Sequence, residues 1–364
     1  MNNLDIAIAN MFEKKQGVTN VAMGYKNALE NTGHRVSFIQ FSVGKEKNLI
    51  SARQKGISLL SRKLLKAFNI LFTFPRSLSK VNADLLILSD PWLLKAAKYR
   101  NDCVLIFHDS RQLTRYRDGI VSTILFRQLL KYLDRVKAII AVSKVTKEDL
   151  VLIGVERSKI FVIENSYEQS GLLQYKKQMR LDRLQKRTLN VYYVAAYQRH
   201  KNVVFFLNLA KKVLSDGNFI DINFYLISNI NTNKIGIYKS IIGRGLTILN
   251  WVDDMDNFLV DMDLLIFPSD YEGFGLPMIE AISLGIPVIA RDLPITKEVL
   301  GNSGIFMKEL ILEEWIQEIL RFRNEEYYNK ISQLSEERSM FFNFRQFTEK
   351  VNKTINEIHN SEMK

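Results

Sequence analysis

Short, mostly apolar runs, with stretches of helical spacing between them, recur from one end of the chain to the other. This alternation constrains the fold more than any other feature. The runs fall at 4–9, 36–41, 85–88, 104–107 and 138–142, and again at 191–195, 219–227, 264–267 and 287–290. A strand that is apolar on both sides of its pleat needs cover on both faces, which parallel sheets obtain from flanking helices. Helical spacing at about 20–31, 202–216, 277–284 and 313–322 supplies the crossovers that parallel strands require.

The expected class is α/β, and 364 residues at roughly 150 per domain give two domains. A charged, turn-poor stretch from 168 to 187 separates the two sets of strands, so the first domain is placed at 1–170 and the second at 171–340. Two doubly wound, Rossmann-like domains joined in this way are expected to face each other across a cleft. Sheets of this kind bind ligands at the carboxyl ends of their strands. The composition, 47% hydrophobic and 25% charged, is that of a globular protein and excludes a disordered chain. The one cysteine, Cys103, lies in an apolar run and is expected to be a buried structural thiol. The start of the chain lacks the basic and apolar regions of a signal peptide. No apolar stretch approaches the ~20 residues of a membrane span. The expected location is cytoplasmic.

One segment carries chemistry. Pro268-Ser269-Asp270-Tyr271-Glu272-Gly273-Phe274-Gly275-Leu276-Pro277-Met278-Ile279-Glu280-Ala281 follows an apolar strand and opens a helix. Gly273 and Gly275 let the backbone approach a ligand closely. Pro277 suits a first helical turn, where its missing N–H costs little. Free N–H groups and the helix dipole make such a turn an anion site, and a diphosphate is the natural occupant. Glu280, one turn further, is placed to accept hydrogen bonds from vicinal hydroxyls such as those of a ribose. Glu272 precedes the glycines and points at a different part of the ligand.

This segment resembles the donor-binding motif of glycosyltransferase family 4, the retaining nucleotide-sugar enzymes of GT-B fold. The resemblance rests on two glutamates separated by seven residues around Gly273-Phe274-Gly275. It continues through Ser283-Leu284-Gly285-Ile286-Pro287-Val288-Ile289-Ala290, Glu298-Val299 and Ser303-Gly304. By the same resemblance Arg199 and Lys201, in the segment from Val194 to Asn202, bind the donor diphosphate, and fixed cations there stabilise the charge that grows on the leaving group. His108, after the strand at 104–107, lies near the acceptor and the reacting sugar. The implied catalytic set is His108, Glu272, Arg199 and Lys201. The implied donor-binding set is Gly17, Arg199, Lys201, Gly273, Phe274, Gly275, Leu276 and Glu280. The segment 341–364 is implied to be a helix crossing back to the first domain. Four positions depart from the family pattern: the glycine-rich loop after the first strand is reduced to Gln16-Gly17, and Ala195, Ser166 and Ser228-Asn229 stand where glycines are usual.

No cofactor and no metal are expected. Asp261-Met262-Asp263 has the form of a metal-binding pair, but it precedes a strand and so belongs at the sheet's far edge.

The net charge of +12 is unevenly placed. Residues 1–170 hold 27 Lys+Arg against 15 Asp+Glu, while residues 171–364 hold 24 of each. Such asymmetry points to a polyanionic partner. No zinc spacing, helix-turn-helix or RNA-binding aromatic motif supports nucleic acid. Residues 45–80 hold nine basic side chains and one acid, with Ile57, Leu60, Leu64, Phe68 and Leu71 at helical spacing. That pattern fits either an anionic membrane surface or a core helix with solvated charges. The expected activity is transfer of a sugar from a nucleotide-diphosphate donor to a glycan, a lipid-linked or a surface-polysaccharide intermediate. Richness in Asn, Lys and Ile fits an AT-rich bacterium. The alternative is a non-catalytic nucleotide-sugar or membrane-binding protein on a decayed GT-B fold. The joint presence of Glu272, Glu280, Arg199, Lys201 and His108 argues against it. An epimerase or a phosphorylase of the same architecture is a further rival.

Overall fold

The structure is a computed structural model that describes residues 3–11, 17–41, 67–117, 119–167, 188–216, 221–230, 236, 238 and 240–361. The chain forms two compact units, one of residues 1–165 and 344–364, the other of residues 166–343.

Unit 1 is built on six parallel strands: β1 Asp5–Asn10, β2 Arg35–Gln40, β3 Leu85–Leu88, β4 Cys103–Phe107, β5 Ala138–Ala141 and β6 Ile160–Val162. Their order is β2-β1-β3-β4-β5-β6. The inner strands β3, β4 and β5 are buried at every residue, which is why their sequences show no polar alternation. The edge strand β2 is only half-buried and alternates. Helices α1 (Gly17–Asn31), α2 (Phe74–Leu78), α3 (Ile120–Leu130) and α4 (Lys144–Leu152) accompany this sheet. Cys103 is fully buried, and burial pushes its thiol up to about 12, so it is an unreactive core residue.

The last helix of the chain, Phe344–Asn360, belongs to unit 1, where its apolar stripe packs on α1. Phe347 meets Tyr25 edge-on at 5.1 Å. His34 joins the two ends of the unit: its Nδ1 accepts the Leu4 N–H at 3.1 Å, and its Nε2 lies 2.9 Å from Asn352 Oδ1. The first contact fixes the tautomer, so Nε2 donates in the second.

Unit 2 is a second six-stranded parallel sheet: β7 Leu189–Val194, β8 Ile222–Ile227, β9 Leu246–Leu249, β10 Leu264–Phe267, β11 Val288–Arg291 and β12 Gly304–Met307. The order β9-β8-β7-β10-β11-β12 is the doubly wound order in which the strand sequence reverses between β7 and β10. The helices are α5 (Val203–Leu214), α6 (Met255–Val260), α7 (Leu276–Ser283), α8 (Pro294–Leu300), α9 (Leu312–Arg321) and α10 (Glu325–Ser339). Three strands, β6, β9 and β12, escape the sequence reading. All three are sheet edges of only three or four residues and mostly half-buried: β6 and β12 are apolar but short, and β9 is interrupted by Thr247, so none stands out as a separate strand in the sequence. The whole of the stretch 168–187 and most of the basic stretch 45–80, including Arg62, Lys63 and Lys66, lie outside the described residues, as does Gln16.

Candidate functional site

In unit 2 the reversal of strand order opens a crevice at the carboxyl ends of β7 and β10, and the sequence motif falls there. β10 ends at Phe267, and the loop 268–275 leads into α7. Gly275 caps that helix with φ +92°, a left-handed conformation that L side chains resist, and an added Cβ would lie 2.5 Å from Met278 Cε. The turn is therefore open to glycine alone. Phe274 is buried between the glycines, edge-on to Phe342 at 5.8 Å, and this anchors the loop to its own unit.

The loop after β7 meets the loop after β10 through a charge pair. Lys201 Nζ donates to both Glu272 oxygens, at 2.6 and 2.7 Å, and the two side chains are 21% and 9% exposed. Buried chemistry holds this pair in place. The Tyr193 hydroxyl donates to the Lys201 carbonyl at 2.6 Å and lies 2.9 Å from Ser269 Oγ. Asn202, in the left-handed region at φ 50°, donates from Nδ2 to the Pro268 carbonyl at 2.9 Å. Asp270 N–H donates to the His200 carbonyl, and Arg291 faces Asp270 at 3.3 Å. The Arg199 side chain is exposed and has no hydrogen-bond or ion-pair partner among the described residues.

Glu280 occupies a different environment. It lies one turn into α7, and no hydrogen bond joins its carboxyl to another described group. Burial, with the Asp256 carboxyl second, pushes it up to about 7. Asp256, itself raised by burial, accepts the Tyr167 hydroxyl. The Glu280 charge adds to burial in raising the Tyr192 phenol, whose buried oxygen has no partner among the described residues. Glu272 acts in the same way on Tyr193. Neighbouring strand residues point to opposite faces, so the two glutamates are served by opposite sides of β7. Gly273 and Leu276 lie in the same loop and first turn.

At the glycine departure after β8, Ser228 Oγ is buried with no partner among the described residues, and the exposed Asn229 accepts the Tyr197 N–H at Oδ1, at 2.7 Å. Asp263 stands at the amino end of β10, where its carboxylate accepts the Asn190 N–H at 2.9 Å. Among the described residues no cluster of three or more His, Cys, Asp or Glu is placed to hold a metal ion.

In unit 1 the sheet order reverses between β1 and β3, and a polar network sits there. Ser89 Oγ donates to Asn10 Oδ1 at 2.8 Å, and Asn10 Nδ2 donates to Thr19 Oγ1 at 3.0 Å and Gln40 Oε1 at 2.9 Å. His108 Nε2 lies 2.8 Å from the Ser89 carbonyl, to which it can only donate, so in the neutral ring Nδ1 carries the lone pair. Burial holds His108 below the usual histidine range. Gly17 is the exposed first residue of α1, two positions ahead of Thr19. Asn10, Thr19, Gln40 and Ser89 were not singled out by sequence. They are ordinary polar residues at strand and helix ends, and only the strand order brings them together.

Both units match known families. The family described as Glycosyltransferase Family 4 covers residues 15–168, and that described as Glycosyl transferases group 1 covers residues 188–325. The chain belongs to glycosyltransferase family 4. Among curated relatives of this family-4 chain, the O-antigen chain mannosyltransferase RfbU of Salmonella typhimurium is 29% identical over 226 residues, 59% of each chain. The chain thus spans about three fifths of that relative's length. It spans 48% of an uncharacterized 41.2 kDa protein in the cps region of Klebsiella pneumoniae, at 27% identity over 180 residues. Two solved structures show the fold of the family-4 chain over nearly its full length. HepE of Anabaena, in complex with UDP and glucose, has a TM-score of 0.70 at 15% identity, covering 97% of this chain and 100% of its own. Sucrose-phosphate synthase of Thermosynechococcus elongatus has a TM-score of 0.74 at 13% identity, covering 98% and 99%. Both likenesses show the two Rossmann-like domains of a GT-B fold. No helix among the described residues is long and apolar enough to cross a membrane.

Proposed function

We propose that the protein transfers a hexose from a nucleotide-diphosphate sugar to a glycan or lipid-linked intermediate of bacterial surface-polysaccharide assembly, with retention at the anomeric carbon. The observation that carries this reading is the Lys201–Glu272 pair, set between the loops that follow β7 and β10 and beside the amino end of α7. Family membership and the polysaccharide role of the named relatives support it.

Unit 2 takes the donor. Its diphosphate lies at the start of α7 beside Gly273 and Gly275, and Lys201 and Arg199 supply positive charge. Glu280 accepts the ribose hydroxyls once ionised. The bond from the anomeric carbon to the diphosphate oxygen breaks with its electron pair going to that oxygen. The acceptor hydroxyl oxygen bonds to the same carbon, and its proton passes to the departing diphosphate. Charge on the leaving group grows as the bond breaks, so the cations act most strongly in the transition state. Glu272 holds Lys201 in place and accepts sugar hydroxyls. Unit 1 takes the acceptor, with the lone pair of His108 Nδ1 orienting a hydroxyl. None of these roles calls for a metal or a cofactor.

The test is a donor screen. The purified protein is given UDP-, GDP- and ADP-sugars, nucleoside-diphosphate mannose first because of the mannosyltransferase relatives, with a lipid-diphosphate acceptor. Acceptor-dependent release of one nucleoside diphosphate is expected. Thermal stabilisation by a nucleotide without any transfer favours the non-catalytic binder. No response to any nucleotide overturns the donor site itself.

A further inference from the structure

Helix α3 presents apolar residues on two faces, and the fold uses one of them. Thr123, Phe126 and Leu129 are buried, with Phe126 edge-on to Trp92 at 5.5 Å. On the other side Ile120, Val121 and Ile124 are 69%, 72% and 56% exposed. Three β-branched aliphatics within five residues, all turned to solvent, form a patch rather than the scattered exposure that is normal on a surface.

The surroundings of the patch are cationic. Ile120, Ile124, Arg127 and Lys131 follow one another at steps of four, three and four, which places them along one stripe. Arg127 and Lys131 are exposed, as are Arg115 and Arg117 just ahead of the helix. Between residues 111 and 131 the chain holds five basic side chains and one acid.

Two occupants bury exposed aliphatics of this kind, a second copy of the chain and a lipid surface. A symmetric contact between copies sets each patch against itself and so brings these cations together. Anionic headgroups instead answer each cation while the acyl boundary takes the aliphatics. We infer that the amino-terminal half of α3 docks unit 1 on an anionic lipid surface. Ile120, Val121 and Ile124 enter the headgroup–acyl boundary, and the four flanking cations contact lipid phosphates.

The position of the patch gives this docking a purpose. α3 is the crossover between the parallel strands β4 and β5, so it runs against them. Its amino end lies at the sheet edge where β4 ends and His108 follows. A lipid surface held there is at the edge assigned to the acceptor, so a lipid-linked sugar reaches it without leaving the bilayer. This consequence rests on the proposed function, whereas the docking does not.

The experiment is flotation of the full chain with vesicles of equal parts phosphatidylglycerol and phosphatidylcholine, across a salt series from ~0.1 M to ~1 M, where screening removes exposed charge attraction. Three proteins are compared: wild type, I120S/V121S/I124S and R115E/R117E/R127E. Wild type is expected to float at low salt and to keep a bound fraction at high salt. The serine variant should float only at low salt, with affinity lower by roughly tenfold or more. The glutamate variant should lose binding at low salt. A serine variant that floats like wild type at every salt overturns the proposal, as does a wild type that never floats. Light scattering covers the other occupant: a wild-type dimer that the serine changes dissolve makes the patch an interface between copies. Thermal shift with the donor nucleotide on the same samples reports folding and the unit 2 site separately. Vesicle binding without sugar transfer would therefore sink the proposed function and leave the docking standing.

Discussion

Lys201 and Glu272, 71 positions apart in the chain, share two hydrogen bonds of 2.6 and 2.7 Å at the point where the strand order of unit 2 reverses. The pair ties together the two loops that the fold makes available for a ligand. It also sets the charge of the crevice: one cation is neutralised by its carboxylate partner, and Arg199 is left exposed beside it. In the proposed donor complex, Glu272 would hold Lys201 in position while the ammonium also faces the diphosphate.

Removing either member strands the other. Glu272 is nearly buried, so Lys201→Ala leaves a carboxylate without its cation and is expected to destabilise the protein by about 3 kcal/mol. Lys201→Ala combined with Glu272→Ala should cost less than the sum of the single changes, by 1 kcal/mol or more on the order of other coupled pairs. Denaturant unfolding of the four proteins reads this cycle, and strict additivity would contradict a direct pair. In turnover, Lys201→Ala and Arg199→Ala should each lower kcat more than they raise the donor KM. An unchanged kcat in both variants removes the diphosphate role.

With Glu280 as the proposed ribose acceptor, donor binding is expected to depend on pH. Its carboxyl sits near 7 in the folded protein, above its ordinary value, because burial and Asp256 oppose its charge. Hydroxyl binding needs the ionised form. Nucleotide affinity should then rise about tenfold per pH unit below 7 and level off above it, with proton release on binding at pH 6. Calorimetry in two buffers of different ionisation heat measures that release. The effect on stability has the opposite sign. The folded state holds the proton more tightly than the unfolded chain, so stability is fully present below the unfolded value and is lost as pH rises through 7. Glu280→Gln should abolish both dependences and weaken the nucleotide. A pH-independent affinity in the wild type would rule out an ionising Glu280 as the ribose acceptor.

His108 should matter to turnover and not to the donor. The ring donates to the Ser89 carbonyl and stays neutral to below the usual histidine range, which keeps the Nδ1 lone pair available at pH 6.5. His108→Ala is expected to reduce kcat by ~10²-fold through a misplaced acceptor hydroxyl while leaving nucleotide affinity unchanged. The acid limb of the wild-type pH profile should then fall below 6.5. Loss of nucleotide affinity in this variant would mean that His108 is not confined to the acceptor side.

The sequence by itself determined the local parts. Apolar runs such as Leu85-Leu86-Ile87-Leu88 and Leu264-Leu265-Ile266-Phe267 announce strands buried on both faces, because no polar residue survives there without a partner. Gly275 and Pro277 announce the turn into α7, because one needs positive φ and the other a first helical turn. These signals are written in neighbouring residues, and neighbouring residues suffice to read them. The edge strands β6, β9 and β12 were silent because they are only three or four residues long, and so short a run does not separate a strand from a loop. Only the tertiary structure decided which distant residues meet. The strand orders set Lys201 on Glu272 and Ser89 on Asn10, 71 and 79 positions apart, and no local pattern encodes such a pairing. Burial likewise decided the state of Glu280 and His108, since the cost of a charge depends on what surrounds it and not on the residue that bears it.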